Sequence, residues 1–248
     1  AIADPIALFL GNSHTTEPGA TTHWPQILAA SMAQGWTVKN YAVAGTGFSV
    51  GTSTTKYAGQ LATAVAAMTA AERARVRYVI PGDMSNDVRN GVAASTIKTE
   101  ADALWTAIKA AFPLSRTICL PILWGTDATN STQTNRVALS AALPVLRESC
   151  MSGGVEYIEG SWTWHLGRTD LQDTGDFHYN AAGKTWIARW MVQYLRGSDT
   201  WRDIPWTPVT SWASGYGGYT GGGWQALAWC LSRGILQLNG TINKGSAW

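Results

Sequence analysis

Pro5-Ile-Ala-Leu-Phe-Leu10 runs directly into Gly11-Asn12-Ser13-His14. An unbroken apolar run that stops at a glycine is the pattern of a strand covered on both faces, as in the middle of a parallel sheet. The same pattern recurs downstream. Trp36 to Val43 reads as a second strand and stops before Ala44-Gly45-Thr46-Gly47. Val76 to Pro81, Arg116 to Leu123 and Val155 to Glu159 read as three more. Between them lie segments with helical spacing: Trp24 to Ala33, with Pro25 in its first turn, then Ala58 to Ala71 and Ala93 to Phe112. Gln133 to Cys150, broken or started near Pro144, and Ala181 to Leu195 complete the set. Strands that alternate with helices predict an α/β fold, a five-stranded parallel sheet with helices on both faces. In such a sheet ligands meet the crevice beyond the carboxyl ends of the strands.

Composition agrees with one large α/β domain and something small after it. The chain has 248 residues, 46% of them apolar and 14% charged, with a formal net charge of +2. Scattered Lys and Arg at near-zero net charge argue against a nucleic-acid partner, whose affinity rests on phosphate neutralisation. No apolar run approaches the roughly 20 residues that span a bilayer, so no membrane partner is expected. Three cysteines, Cys119, Cys150 and Cys230, are too few for a disulfide framework, and neither they nor the histidines have metal-ligand spacing. No cofactor is expected: Gly45-Thr-Gly47-Phe-Ser-Val-Gly51 lacks the spacing of a dinucleotide loop and follows the second strand. Trp occurs 14 times against 4 Phe, which fits either core filling or flat, sugar-binding surfaces.

After Gly197 the texture changes. Residues 198–248 are rich in Trp and Gly, with short alternating stretches at Gln225 to Cys230 and Gly234 to Ile242 and a turn signal at Asn239-Gly240. The expected division is 1–197 as an α/β domain and 198–248 as a β-rich extension or partial module. The chain starts at Ala1 without Met and shows no signal peptide, which reads as a mature product or a piece of a longer polypeptide.

Four strand-end loops carry the chemistry. Ser13 follows the first strand; a serine on a tight turn exposes its hydroxyl, although a loop serine capping a helix is the commoner case. Gly45 follows the second strand, Asn86-Asp87 follows the third, and His178 precedes the last helix. A nucleophile, donors for an oxyanion and a base thus fall on one rim.

These four positions, in chain order, resemble the SGNH (GDSL-type) hydrolase family over residues 5 to 196. The resemblance implies a three-layer α/β/α flavodoxin-like fold and acyl-ester hydrolysis. It implies Ser13 as nucleophile and His178 as base. The Ser13 and Gly45 N–H groups and the Asn86 amide would then form the oxyanion hole. Three features depart from the family pattern. Asn12 stands where the family usually has Asp, and extra residues separate Gly82 from Asn86. The position three before the histidine, which holds the family's acid, is Gly175. Asp176 is the favoured acid, Asp173 the alternative, and a Ser–His dyad held by a backbone carbonyl the third option.

His14, Trp124, Trp164 and His165 are candidate substrate-binding residues, since loops at strand ends face the site. The expected reaction is removal of acyl groups, acetyl above all, from a carbohydrate or cell-surface polysaccharide by a serine ester hydrolase. A lysophospholipase- or thioesterase-like hydrolase is one alternative, and a non-catalytic structural or glycan-binding appendage another. The closing stretch Leu236 to Gly245 is similar to the repeats that end some phage tail and baseplate proteins. That similarity implies virion tail proteins as partners and a virion-associated or extracellular location.

Overall fold

The computed structural model describes residues 4–16, 22–32, 35–123, 133–159, 161, 164, 168–173 and 178–196, and the strand segments 207–208, 228–232 and 235–239. Five parallel strands form one sheet in the order β2-β1-β3-β4-β5. They are β1 (Ile6–Leu10), β2 (Thr37–Asn40), β3 (Val76–Pro81), β4 (Arg116–Cys119) and β5 (Glu156–Tyr157). β1 pairs with β2 on one side and β3 on the other, and all of Ile6 to Leu10 is buried. This is why the sequence around it is uniformly apolar: both faces of the central strand need cover.

The two faces divide by the strand's period of two. Ile6, Leu8 and Leu10 join a core with Tyr57, Leu61 and Ala64 of α2 (Tyr57–Ala67). Leu104, Trp105 and Ile108 of α5 (Ala94–Ala111) and Leu146 of α6 (Gln133–Gly153) belong to the same core. Phe9 turns the other way and meets Trp24 of α1 (Trp24–Ser31) edge-on at 5.2 Å. Each such large apolar side chain, fully buried, contributes about 1.5–3 kcal/mol. The result is a three-layer α/β/α fold.

Several boundaries differ from the sequence expectation, each for a visible reason. The helix expected over Ala58 to Ala71 is two: α2 ends at Ala67, and α3 (Ala70–Arg73) starts afresh from Thr69. Thr69 and Glu72 form a reciprocal capping box, which demands extended backbone at Thr69. Pro144, expected to break or start a helix, lies inside α6. It sits on the exposed face, as does Ser140, so the carbonyl it leaves without an intrahelical donor can meet water. A short helix, α4 (Ser85–Arg89), was not expected at all. α7 (Ala181–Arg196) ends the described part of this fold.

The chain separates into two compact units, Ala1–Val192 and Gln193–Trp248. Within the second, β6 (Thr207–Pro208), β7 (Ala228–Ser232) and β8 (Ile235–Asn239) form an antiparallel sheet in that order. The antiparallel register runs from Ala228 opposite Asn239 to Ser232 opposite Ile235, and Gly240 of the expected turn lies outside the described residues. No described helix is long and apolar enough to cross a membrane.

Candidate active site

The rim is assembled from the carboxyl ends of β1, β2 and β3 and the segment leading into α7. Gly11 closes β1, and its N–H and C=O are both held by Gln60 of α2: Oε1 accepts at 2.8 Å and Nε2 donates at 2.9 Å. Nε2 also donates to Thr46 Oγ1 at 3.0 Å and the Thr55 carbonyl at 2.8 Å. One buried amide therefore ties the Ser13 turn to the Gly45-Thr46 loop. Val43 N donates to the Gly11 carbonyl at 2.9 Å, which keeps the second loop alongside the first.

Gly45 has φ +76°, a backbone state that side chains with a Cβ rarely adopt, and it is exposed. Asn86 lies on α4, and its Nδ2 donates to the Thr46 carbonyl at 2.9 Å. A carboxamide has two N–H donors, so the second remains for a ligand. Asp87, the next residue, accepts from Phe48 N at 2.9 Å, Ser49 N at 2.8 Å and Val50 N at 3.2 Å. Gly47 permits that approach, because a Cβ there would collide with the Asp87 carboxylate. Burial pushes the Asp87 carboxyl up to about 6, against the three N–H groups that favour its charged form.

His178 is reached through a short antiparallel pairing. Gln172 bridges Tyr179, and Asp173 N donates to the His178 carbonyl at 3.1 Å. Tyr179 donates from its hydroxyl to the Leu123 carbonyl at 2.9 Å. The His14 ring, one residue from Ser13, lies 5.6 Å from the His178 ring and 5.6 Å from that of Tyr179. The Ser13 turn and the His178 segment are thus in contact.

Accessibility marks the same four positions. Ser13 is half-buried between fully or nearly buried Asn12 and His14, and Asn86 is half-buried between Ser85 and Asp87. Exposed Gly45 precedes buried Thr46, and half-buried His178 precedes buried Tyr179. Each of the four positions is more exposed than a buried neighbour that anchors its loop, and the His178 Nε2 atom is itself buried.

The remaining expected residues fare differently. Asp173 is exposed and sits opposite His178 in the backbone pairing. Asp176, Trp124 and His165 lie outside the described residues. Trp164 is buried, stacked on Trp190 at 5.6 Å, and its carbonyl accepts from Trp186 Nε1 at 2.5 Å. Cys119 and Cys150 are buried free thiols. Among the described residues no group of His, Cys, Asp or Glu is placed to hold a metal ion.

Sequence reasoning missed Gln60, Tyr57 and Asp83. Asp83 is wholly buried, and its Oδ1 accepts from Asn12 Nδ2 at 2.9 Å and Ser85 N at 2.7 Å. Its Oδ2 accepts from Leu123 N at 3.1 Å, and its carbonyl accepts from Tyr57 Oη at 2.5 Å. Burial, with the Asp83 charge adding to it, pushes the Tyr57 and Tyr179 hydroxyls up, so both stay protonated donors. The signal in the sequence was a pair of departures, Asn12 in the first block and Asp83 in the lengthened third one.

The fold is the three-layer α/β/α arrangement of SGNH-type hydrolases. The GDSL-like lipase/acylhydrolase family model matches residues 9–186, and the chain belongs to that family. No match was found among curated proteins. Among solved structures, the carbohydrate acetylesterase Est24 from Sinorhizobium meliloti is similar at 12% identity and TM-score 0.57, over 78% of this chain and 99% of that one. The psychrotrophic esterase EstA from Pseudoalteromonas sp. is similar at 16% identity and TM-score 0.55, over 78% and 97%. A lipolytic G-D-S-L family member from Veillonella parvula is similar at 16% identity and TM-score 0.52, over 74% and 94%. At these identities the likeness is one of fold.

Proposed function

We propose that this protein is a serine ester hydrolase that works through an acyl-enzyme. Ser13 Oγ gives its proton to His178 Nε2 and attacks the ester carbonyl carbon. The tetrahedral oxyanion is held by the Ser13 and Gly45 N–H groups and the Asn86 amide. The intermediate collapses, His178 returns the proton to the departing alcohol, and water then cleaves the acyl-enzyme by the same route in reverse. Asp176, or in its place Asp173, accepts from His178 Nδ1 and stabilises the imidazolium. The observation that supports this reading is the linkage of the four loops: Gln60 joins Gly11 to Thr46, Asn86 donates to the Thr46 carbonyl, and the His14 ring lies 5.6 Å from that of His178.

The proposed substrate is an acylated carbohydrate, with acetyl as the favoured acyl group. Support comes from the positions of Trp124 and His165 in the sequence, after the fourth and fifth strands, with His14 beside Ser13, and from the fold shared with a carbohydrate acetylesterase. The Gly-rich C-terminal stretch supports a place among virion tail proteins, acting on a bacterial surface polysaccharide. The test is hydrolysis of p-nitrophenyl esters by the wild type and Ser13→Ala. The expected outcome is a loss of at least about a thousandfold in kcat/KM with the melting temperature within a few degrees. Activity within about tenfold of wild type would overturn the assignment. Acetyl esters should outrun long-chain ones; the reverse order would indicate a lipid substrate.

A further inference from the structure

We propose that Asp83 is the positioning residue that sets Ser13 and His178 in register, an inference that rests on the hydrolase reading of those two residues. Asp83 touches neither reacting group. Its carboxylate instead joins the loops that carry them. Oδ1 holds the Asn12 amide at 2.9 Å, immediately before Ser13. Oδ2 holds Leu123 N at 3.1 Å at the end of the fourth strand's segment. The Leu123 carbonyl in turn accepts from Tyr179 Oη at 2.9 Å, immediately after His178. The path from nucleophile to base is therefore Ser13, Asn12, Asp83, Leu123, Tyr179, His178, and Asp83 is the side chain common to both halves.

The chemistry of this residue is otherwise hard to account for. A wholly buried carboxylate is costly unless it is paired, and among the described residues no Lys or Arg forms an ion pair with it. Among the described residues its carboxyl oxygens meet only neutral donors: one side-chain amide and two backbone N–H groups. Hydrogen bonds to an ionised carboxylate are roughly twice as strong as neutral ones and hold their partners correspondingly firmly. A misplacement of about 1 Å between reacting groups can cost on the order of a hundredfold in rate, which makes such stiffness useful here.

The arrangement also gives the departure at position 12 a physical cause. An aspartate there would set a second carboxylate oxygen beside Asp83 Oδ1, at the distance now spanned by a hydrogen bond. Asn12 supplies the donor that Asp83 requires, while its own Oδ1 accepts from His14 N at 2.9 Å and shapes the turn around Ser13.

Three variants test this: Asp83→Asn, Asn12→Asp and the double exchange. Each is assayed for p-nitrophenyl acetate hydrolysis from pH 5 to 9 and for the rate at which a serine-reactive phosphonate labels Ser13. The expected result for Asp83→Asn is a fall of at least tenfold in kcat with KM within threefold, and a parallel fall in labelling. Asn12→Asp should recover, relative to wild type, as pH falls, because two facing carboxyl groups must share a proton. The other titratable groups near the pair are Asp87, Tyr57, Tyr179, Cys119 and His14. His178 joins this set through its ring contact with His14, and the double exchange, which carries the same net charge as wild type, controls for shifts that a second carboxylate causes in these groups. The double exchange, with carboxylate and amide swapped, should return kcat to within about fivefold of wild type and restore its pH profile. If Asp83→Asn fails to fold, the pH-dependent ratio of Asn12→Asp still decides. A wild type unlabelled at Ser13 overturns the hydrolase reading and this inference together. A labelled wild type with Asp83→Asn kcat within threefold, or a flat Asn12→Asp ratio, overturns this inference alone.

Discussion

Gln60 satisfies both polar groups of the Gly11 peptide, accepting from its N–H at 2.8 Å and donating to its C=O at 2.9 Å. Gln60 is itself almost wholly buried, so water cannot replace either bond. Gln60→Leu should therefore leave the buried Gly11 N–H without a partner, while the Gly11 carbonyl keeps Val43 N, and cost roughly 1–3 kcal/mol, lowering the melting temperature by about 3–10 °C. Calorimetry checks this; a shift under about 2 °C would mean that the loop finds other partners.

Asn86 is expected to act through its second N–H, the first being held by the Thr46 carbonyl. Asn86→Ala should lower kcat on small esters by about a hundredfold with little change in KM, since the bond forms mainly in the transition state. A change confined to KM would make Asn86 a substrate-binding group instead.

For the acid that orients His178, the expectation is that Asp176→Asn lowers kcat/KM far more than Asp173→Asn does, with both proteins folded. Loss of such a carboxylate can cost about 10⁴ in kcat where the triad is complete. The reverse order would assign the role to Asp173, which sits opposite His178 in the backbone pairing. Two variants each within tenfold of wild type would point to a dyad held by a backbone carbonyl.

The pH dependence of stability follows from Asp87. Burial raises its carboxyl from 3.8 to about 6, so between those values the folded chain holds a proton that the unfolded chain releases. Its contribution to stability is fully present below about pH 4 and is lost as pH rises through 6. Unfolding free energies from urea titrations at pH 4, 5, 6 and 7 should show wild type losing stability relative to Asp87→Asn across that window. A difference that grows with pH would show that the three loop N–H groups outweigh burial.

Much of this was legible in the sequence because the central strands are covered on both faces. Val76 to Pro81 was read to the residue, and β1 differed by one. The four strand-end positions followed from that register. α4, which carries Asn86, escaped because five residues are too few for a helical period to show. The break at Thr69 was readable from Thr69-Ala-Ala-Glu72, but the alanine-rich periodicity on either side masked it. Trp164 is a candidate substrate-binding residue in the sequence; its stack on Trp190 depends on α7, a later element of the chain. Asp83 showed only as part of a lengthened third block. Its partners Asn12 and Leu123 lie beyond the ends of other strands, and no local pattern marks a carboxylate that joins them.

The nucleophile can be read out by treating the wild type with a p-nitrophenyl phosphonate and mapping the adduct by peptide mass spectrometry. The expected result is one phosphonyl group on Ser13, formed in step with loss of esterase activity and absent from Ser13→Ala. A phosphonyl group on another residue, or complete inactivation with Ser13 unmodified, would contradict the account.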